Sequence, residues 1–196
     1  MSDLIIDASY QMELGQYGYI QKVLNDAAQH WSTPYYASGS GVVKATLDPM
    51  IRHWMRMSGG SAPIILGDIN MISKLSDLTG FTASTTSKQF ADDIMVEQNT
   101  AGFIGVYGGC KVVNLVNPYI DGTDAPVLDT DKLYLIPGNI DPSMRPLKVV
   151  FEGDVQSQEA TNIDDKTFEI RLDQDFGAGI VYGERPYVSV YEDSSI

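Results

Sequence analysis

Chemistry in this 196-residue sequence would have to rest on two histidines, one cysteine and several clustered carboxylates. Neither His30 nor His53 is accompanied by a serine or cysteine in a nucleophile motif, so a catalytic triad has no local support. His30 falls near a helix end, where a cation favours the helix dipole. His53 adjoins Trp54 within a helix, a packing or polar-edge position. Cys110 opens a strand after Gly108-Gly109 and would react only if a basic neighbour lowered its pKa. Lys111, next in the chain, projects to the opposite face of that strand. A quiet, partly buried thiol is expected, and one cysteine makes neither an intrachain disulfide nor a thiolate metal cluster.

Asp121, Asp124, Asp129 and Asp131 offer oxygen ligands of the kind calcium takes, but without the spacing or the terminal glutamate of an EF-hand. They read as solvated turn carboxylates, as do Asp92-Asp93 and Asp164-Asp165. The run from Gly105 to Gly109 leads into a strand and presents no helix N-terminus to a phosphate. No residue is therefore assigned to catalysis, to a cofactor or to a metal. Met50, Trp54, Met55 and Met57 form a stripe suited to core packing or to an adaptable partner surface.

The elements that would position these residues run helices first, strands last. Apolar residues from Leu14 to Ala28 recur at three- and four-residue steps, and Gly15 and Gly18 weaken the early turns. This predicts a helix over 17–29, ended by Ser32-Thr33-Pro34. Residues 35–44 carry Ser38-Gly39-Ser40-Gly41 and read as a flexible loop. Asp48 and Pro49 suit the cap and first position of a second helix, stopped by Ser58-Gly59-Gly60. The segment 63–68 is a short buried strand leading into a third helix, capped by Asp68, ended by Gly80, and burying Ile69, Ile72, Leu75 and Leu78.

Residues 82–88 read as an exposed loop. A Gly108-Gly109 turn joins strands 103–107 and 110–116 into a hairpin. Further strands are expected at 132–136, 147–152, 167–172, 180–182 and 187–191, with Gly177-Ala178-Gly179 as one of the breaks. The class is α+β, a mixed sheet flanked by helices with a C-terminal β extension.

Bulk properties narrow the function. With 43% hydrophobic and 20% charged residues the chain suits an ordinary core,. Its net charge of -13 repels phosphates, and its basic residues are scattered, so no direct nucleic-acid site is expected,. No membrane span and no secretory signal are read, which places synthesis in a cytoplasm.

Three stretches in order carry a resemblance. The first is Leu47-Asp48-Pro49-Met50-Ile51, with Ile64-Ile65-Leu66-Gly67-Asp68 and Thr79-Gly80-Phe81 after it. The second runs from Gly102 to Gly109, through Lys111-Val112-Val113 to Asn117-Pro118-Tyr119. The third starts at Leu133-Tyr134-Leu135-Ile136-Pro137-Gly138 and finishes at Tyr187-Val188-Ser189-Val190-Tyr191-Glu192-Asp193. Together they resemble the major capsid proteins of tailed bacteriophages, the Hong Kong 97-type shell fold.

The resemblance implies a coat subunit of the virion, made in the host cytoplasm. Its main partner would be itself, in pentamers and hexamers, with scaffold or portal proteins as further partners. It also implies an organisation: residues 1–41 as the end of a spine helix and a connecting loop, 42–139 as an axial-domain-like lobe, and 140–196 as a periphery-domain-like β segment. Such coat proteins begin with an N-terminal arm, an extended loop and a long spine helix, of which only the end of the helix, near residues 11–30, is expected here. Two alternatives stand beside it: a small-molecule hydrolase using the acidic loop 121–131, and a phage accessory or decoration protein.

Overall fold

A computed structural model of the chain describes residues 2–83, 103–120, 122–138, 145–161, 168–181 and 186–195. The chain opens with helix α1 (Ser2–Ala28), longer at its start than the glycines suggested. Packing overrides propensity there, because α1 lies along a long β arm that supplies contacts to its early turns,.

The main body is a seven-stranded mixed sheet in the order β1-β9-β6-β2-β5-β4-β3. Its strands are β1 (Tyr36–Gly39), β2 (Pro63–Gly67), β3 (Phe81–Ala83), β4 (Phe103–Tyr107), β5 (Cys110–Asn114), β6 (Lys132–Pro137) and β9 (Ser189–Asp193). The pairs β1–β9 and β2–β5 are parallel and the others antiparallel. Residues 35–44 are therefore not all loop, since β1 pairs with the far end of the chain. Gly39 is required there because a Cβ would meet the Tyr191 hydroxyl at 2.8 Å.

Helices α2 (Lys44–Met57) and α3 (Ile69–Ser76) cover one face of the sheet. Leu47, Met50, Ile51, Trp54, Met71, Ile72 and Leu75 interleave there with Ile65, Val112, Leu133, Leu135 and Tyr191. Each large side chain buried this fully contributes roughly 1.5–3 kcal/mol. The other face is covered by the end of α1, where Leu24 and Ala28 pack on Tyr134, Val188 and Val190.

Helix α2 starts before the expected cap. Val43 is its N-cap, and Asp48 lies inside the helix, where it accepts a hydrogen bond from Tyr107 instead of capping. Pro49 removes one helical donor near exposed Ala45, whose carbonyl water can serve,. Asp68 does cap α3, accepting from the Asn70 amide at 2.9 Å. The helix ends at Ser76, before Gly80, and Ile69 is exposed while Met71 takes a buried place.

Gly108 and Gly109 turn β4 into β5 with φ of 57° and 83°. Of the loop expected at 82–88, Thr82 and Ala83 pair within β3, and the remainder lies outside the described residues, as do Asp92, Asp93, Asp164 and Asp165.

The strands expected separately at 147–152, 167–172 and 180–182 are two long ones, β7 (Leu147–Thr161) and β8 (Phe168–Ile180), paired as an arm outside the main sheet. Gly177-Ala178-Gly179 is no break, because it pairs with Lys148, Val149 and Val150. The segment 187–191, grouped in the sequence with these strands, leads into β9 (Ser189–Asp193), which enters the seven-stranded sheet between β1 and β6. Val188 and Val190 point to one buried face and Tyr191 to the other, which suits a central strand and not an arm,.

Candidate assembly surfaces

The loop after β5 is tied at its base by side-chain hydrogen bonds. The amide of Asn117 donates to the second oxygen of Asp68 and to the Leu128 carbonyl, both at 2.9 Å, and its oxygen accepts from the Leu128 amide at 2.8 Å. One side chain thus clamps both ends of the loop to the start of α3. Around that clamp Val116, Tyr119 and Ile120 are exposed, Val116 by 82%. Apolar side chains held outward on a braced loop are a feature of contact surfaces.

Helix α1 grips the sheet and the arm together. On the sheet side Asn25 donates to Asp129 at 2.7 Å and accepts from the Tyr134 hydroxyl at 3.0 Å, while Gln21 accepts from the Asp129 amide at 2.9 Å. Lys132 donates to Asp129 and Asp131 at 2.8 and 3.3 Å. Burial alone would lower its pKa, but the two carboxylates raise it, so the ammonium stays charged,. Burial, with the Asp129 charge, pushes the Tyr134 phenol up.

On the arm side Gln16 donates to Gln174 at 2.9 Å and Tyr19 meets Phe176 edge-on at 5.2 Å. An apolar hollow of about 270 Å³ remains at the joint, lined by Leu24, Ile136, Pro146, Leu147 and Val188 with Arg145 beside them.

The singled-out side chains do not converge. Cys110 is buried, its Sγ 3.9 Å from the Gly108 carbonyl, and burial pushes its thiol up to about 12. His53 stands edge-on to Tyr35 at 5.2 Å, and His30 is exposed beyond the end of α1. Met50 and Trp54 are core, and Met55 and Met57 pack at its margin. In the acidic loop Asp129 and Asp131 pair with Lys132, Asp124 is exposed, and Asp121 lies outside the described residues.

Among the described residues no group of three or more His, Cys, Asp or Glu is arranged to hold a metal ion, and no helix is long and apolar enough to cross a membrane. The bracing residues Asn25 and Asn117 carry no local sequence signal, because each acts on partners distant in the chain.

The fold recurs in solved structures of low identity. A chain from Mycobacterium phage Che8 matches with TM-score 0.58 and 16% identity, covering 96% of this chain and 61% of its own. The holo-SrpI encapsulin complex from Synechococcus elongatus PCC 7942 gives 0.51 and 10%, covering 93% of this chain and 61% of that one. A phage-related protein from Bordetella bronchiseptica gives 0.51 and 11%, covering 85% and 57%. This chain therefore spans about three fifths of the length of these structures. No curated protein matches its sequence. A family model described as "SPbeta prophage-derived putative capsid protein YonB" matches residues 8–190, nearly the whole chain, and the protein belongs to that capsid-protein family.

Proposed function

We propose that this chain is a structural subunit of a bacteriophage shell, acting through repeated contacts between copies to enclose a genome. The observation that carries this reading is the grip of α1 on both a sheet lobe and a long arm, with exposed apolar side chains on each. A subunit that tiles a closed surface needs two separated contact regions held in fixed relation, and one helix bonded to both supplies that. Membership of a capsid-protein family over residues 8–190 supports it.

In this reading the seven-stranded lobe, β1 and β9 included, is the axial domain that clusters about the symmetry axes. The arm with α1 is the periphery domain. Copies of the chain are its main partners, in pentamers and hexamers, scaffold and portal proteins are further ones, and it resides in the virion after assembly in the host cytoplasm. Its role is structural, not enzymatic.

Light scattering and negative-stain electron microscopy of the purified chain over a wide concentration range test this. Rings of five or six copies, or larger shells, are expected. A strict monomer at every concentration overturns the reading.

A further inference from the structure

The arm has two faces, and among the described residues only one is covered by its own chain. Even-numbered residues of β8, such as Gln174 and Phe176, turn towards α1. The odd-numbered ones, Arg171, Asp173, Asp175, Gly177 and Gly179, form the other face, which is more exposed. Across the strands Glu152 pairs with Asp175, and the register shifts between Glu152 and Gln156. At this bulge Glu152, Asp154, Asp173 and Asp175 surround a hollow of about 80 Å³ together with Gln156 and Gln174. Arg171 reaches Asp173 at 2.9 Å; the other three carboxylates have no ion-pair partner among the described residues. The three carboxylates left without a partner repel each other, and a cation from outside would relieve that repulsion,.

A matching cation pair stands on the sheet lobe. Arg52 and Arg56 lie on the outward face of α2, exposed and without an ion-pair partner among the described residues. Four helical residues span about 6 Å. Two strand residues, as from Asp173 to Asp175, span about 7 Å. The backbone spacing of the two arginines thus matches that of the two aspartates, and a guanidinium pairs with carboxylates through paired donors. Beside the hollow, a Cβ on Gly177 or Gly179 would meet nothing within 4 Å, so a helix has room to approach the bare backbone,.

We propose that the outer face of the β7–β8 arm docks on the α2 face of a second copy, with Arg52 and Arg56 entering the acidic hollow. This rests on the shell-subunit reading and names one of its contacts. Because the two faces differ, the contact is head-to-tail and each copy offers both halves.

Sedimentation velocity of wild type and two double variants tests it, with thermal unfolding to establish that each is folded. Arg52→Glu/Arg56→Glu and Asp173→Arg/Asp175→Arg should each weaken self-association about tenfold or more. An equimolar mixture should regain association to within about threefold of wild type, since each variant then meets complementary charge on the other. If folded variants associate as wild type does, or the mixture stays as weak as its components, this docking is overturned and the shell reading stands. If wild type does not self-associate at all, both fall.

Discussion

The ammonium of Lys74, in the last turn of α3, donates to the buried carboxylate of Asp193 at the end of β9. The other oxygen of Asp193 accepts from the Gly41 amide at 2.8 Å and from the amide and hydroxyl of Ser195 at 2.9 and 2.6 Å. A residue three places from the end of the chain thus joins the turn after β1 to α3. Burial alone would raise the pKa of this carboxyl, but Lys74, Ser195 and the Gly41 amide together hold it well below the usual carboxylate range,.

Asp193→Asn should therefore cost about 1–3 kcal/mol of stability at neutral pH, read by urea unfolding, because Lys74, Gly41 and Ser195 lose their buried, charged acceptor,. The sign of the pH dependence follows from the lowered pKa. The unfolded carboxyl binds a proton near its ordinary value of 3.8, before the folded one does. The contribution is complete above that value and drains away as pH falls below it towards the folded pKa. Wild type and Asp193→Asn should converge in acid; a gap that holds constant through that window would refute this account.

A second test concerns Tyr107, buried under α2, whose phenol donates to Asp48 at 2.8 Å. Tyr107→Phe keeps the packing and removes one donor from a partly exposed carboxylate, so a loss of about 0.5–1.5 kcal/mol is expected in chemical denaturation,. Asp48→Asn, which retains an acceptor oxygen, should lose less. Equal losses from the two would mean that the hydrogen bond is not what Tyr107 contributes.

Glycine substitutions separate the sheet from the arm. A Cβ on Gly105 would be driven into the Thr82 carbonyl oxygen and Phe81, while one on Gly177 meets open space. Gly105→Ala should lower the melting temperature by several degrees, a loss of about 1–3 kcal/mol, by forcing β3 from β4. Gly177→Ala should leave it within about a degree, since an exposed change that touches nothing stays near ±0.5 kcal/mol.

The sequence made some of this legible and hid the rest for physical reasons. The Gly108-Gly109 hairpin and the Asp68 cap are local: the residues that form them lie within a few positions of each other, so type and spacing suffice. The pairing of β1 with β9 joins Tyr36 to Val190, and no short-range pattern encodes a partner that far along the chain. The arm was hidden differently. Gly177 and Gly179 resemble turn residues, yet ladder pairing with Lys148 and Val150 holds them extended. The candidate contact residues were hardest to see, since Arg52, Arg56, Asp173 and Asp175 look like any solvated charges until topology shows which faces are bare.

Cys110 offers a probe that depends on none of these assignments. Its thiol is fully buried and pushed up to about 12 by burial, so at pH 8 it stays protonated and shielded from solvent,. Native protein should resist a disulfide-exchange reagent for hours and react within minutes once unfolded, when the thiol returns to its ordinary range. Under native conditions the labelling rate then reports how often the packing of α2 against the β4–β5 hairpin opens, because the sulfur is enclosed by that core,. Gly105→Ala, which loosens the neighbouring β3–β4 pair, should raise that rate, and Gly177→Ala on the distant arm should not. Equal acceleration by both would mean that arm and sheet open as one unit, and that the grip of α1 transmits unfolding as well as position.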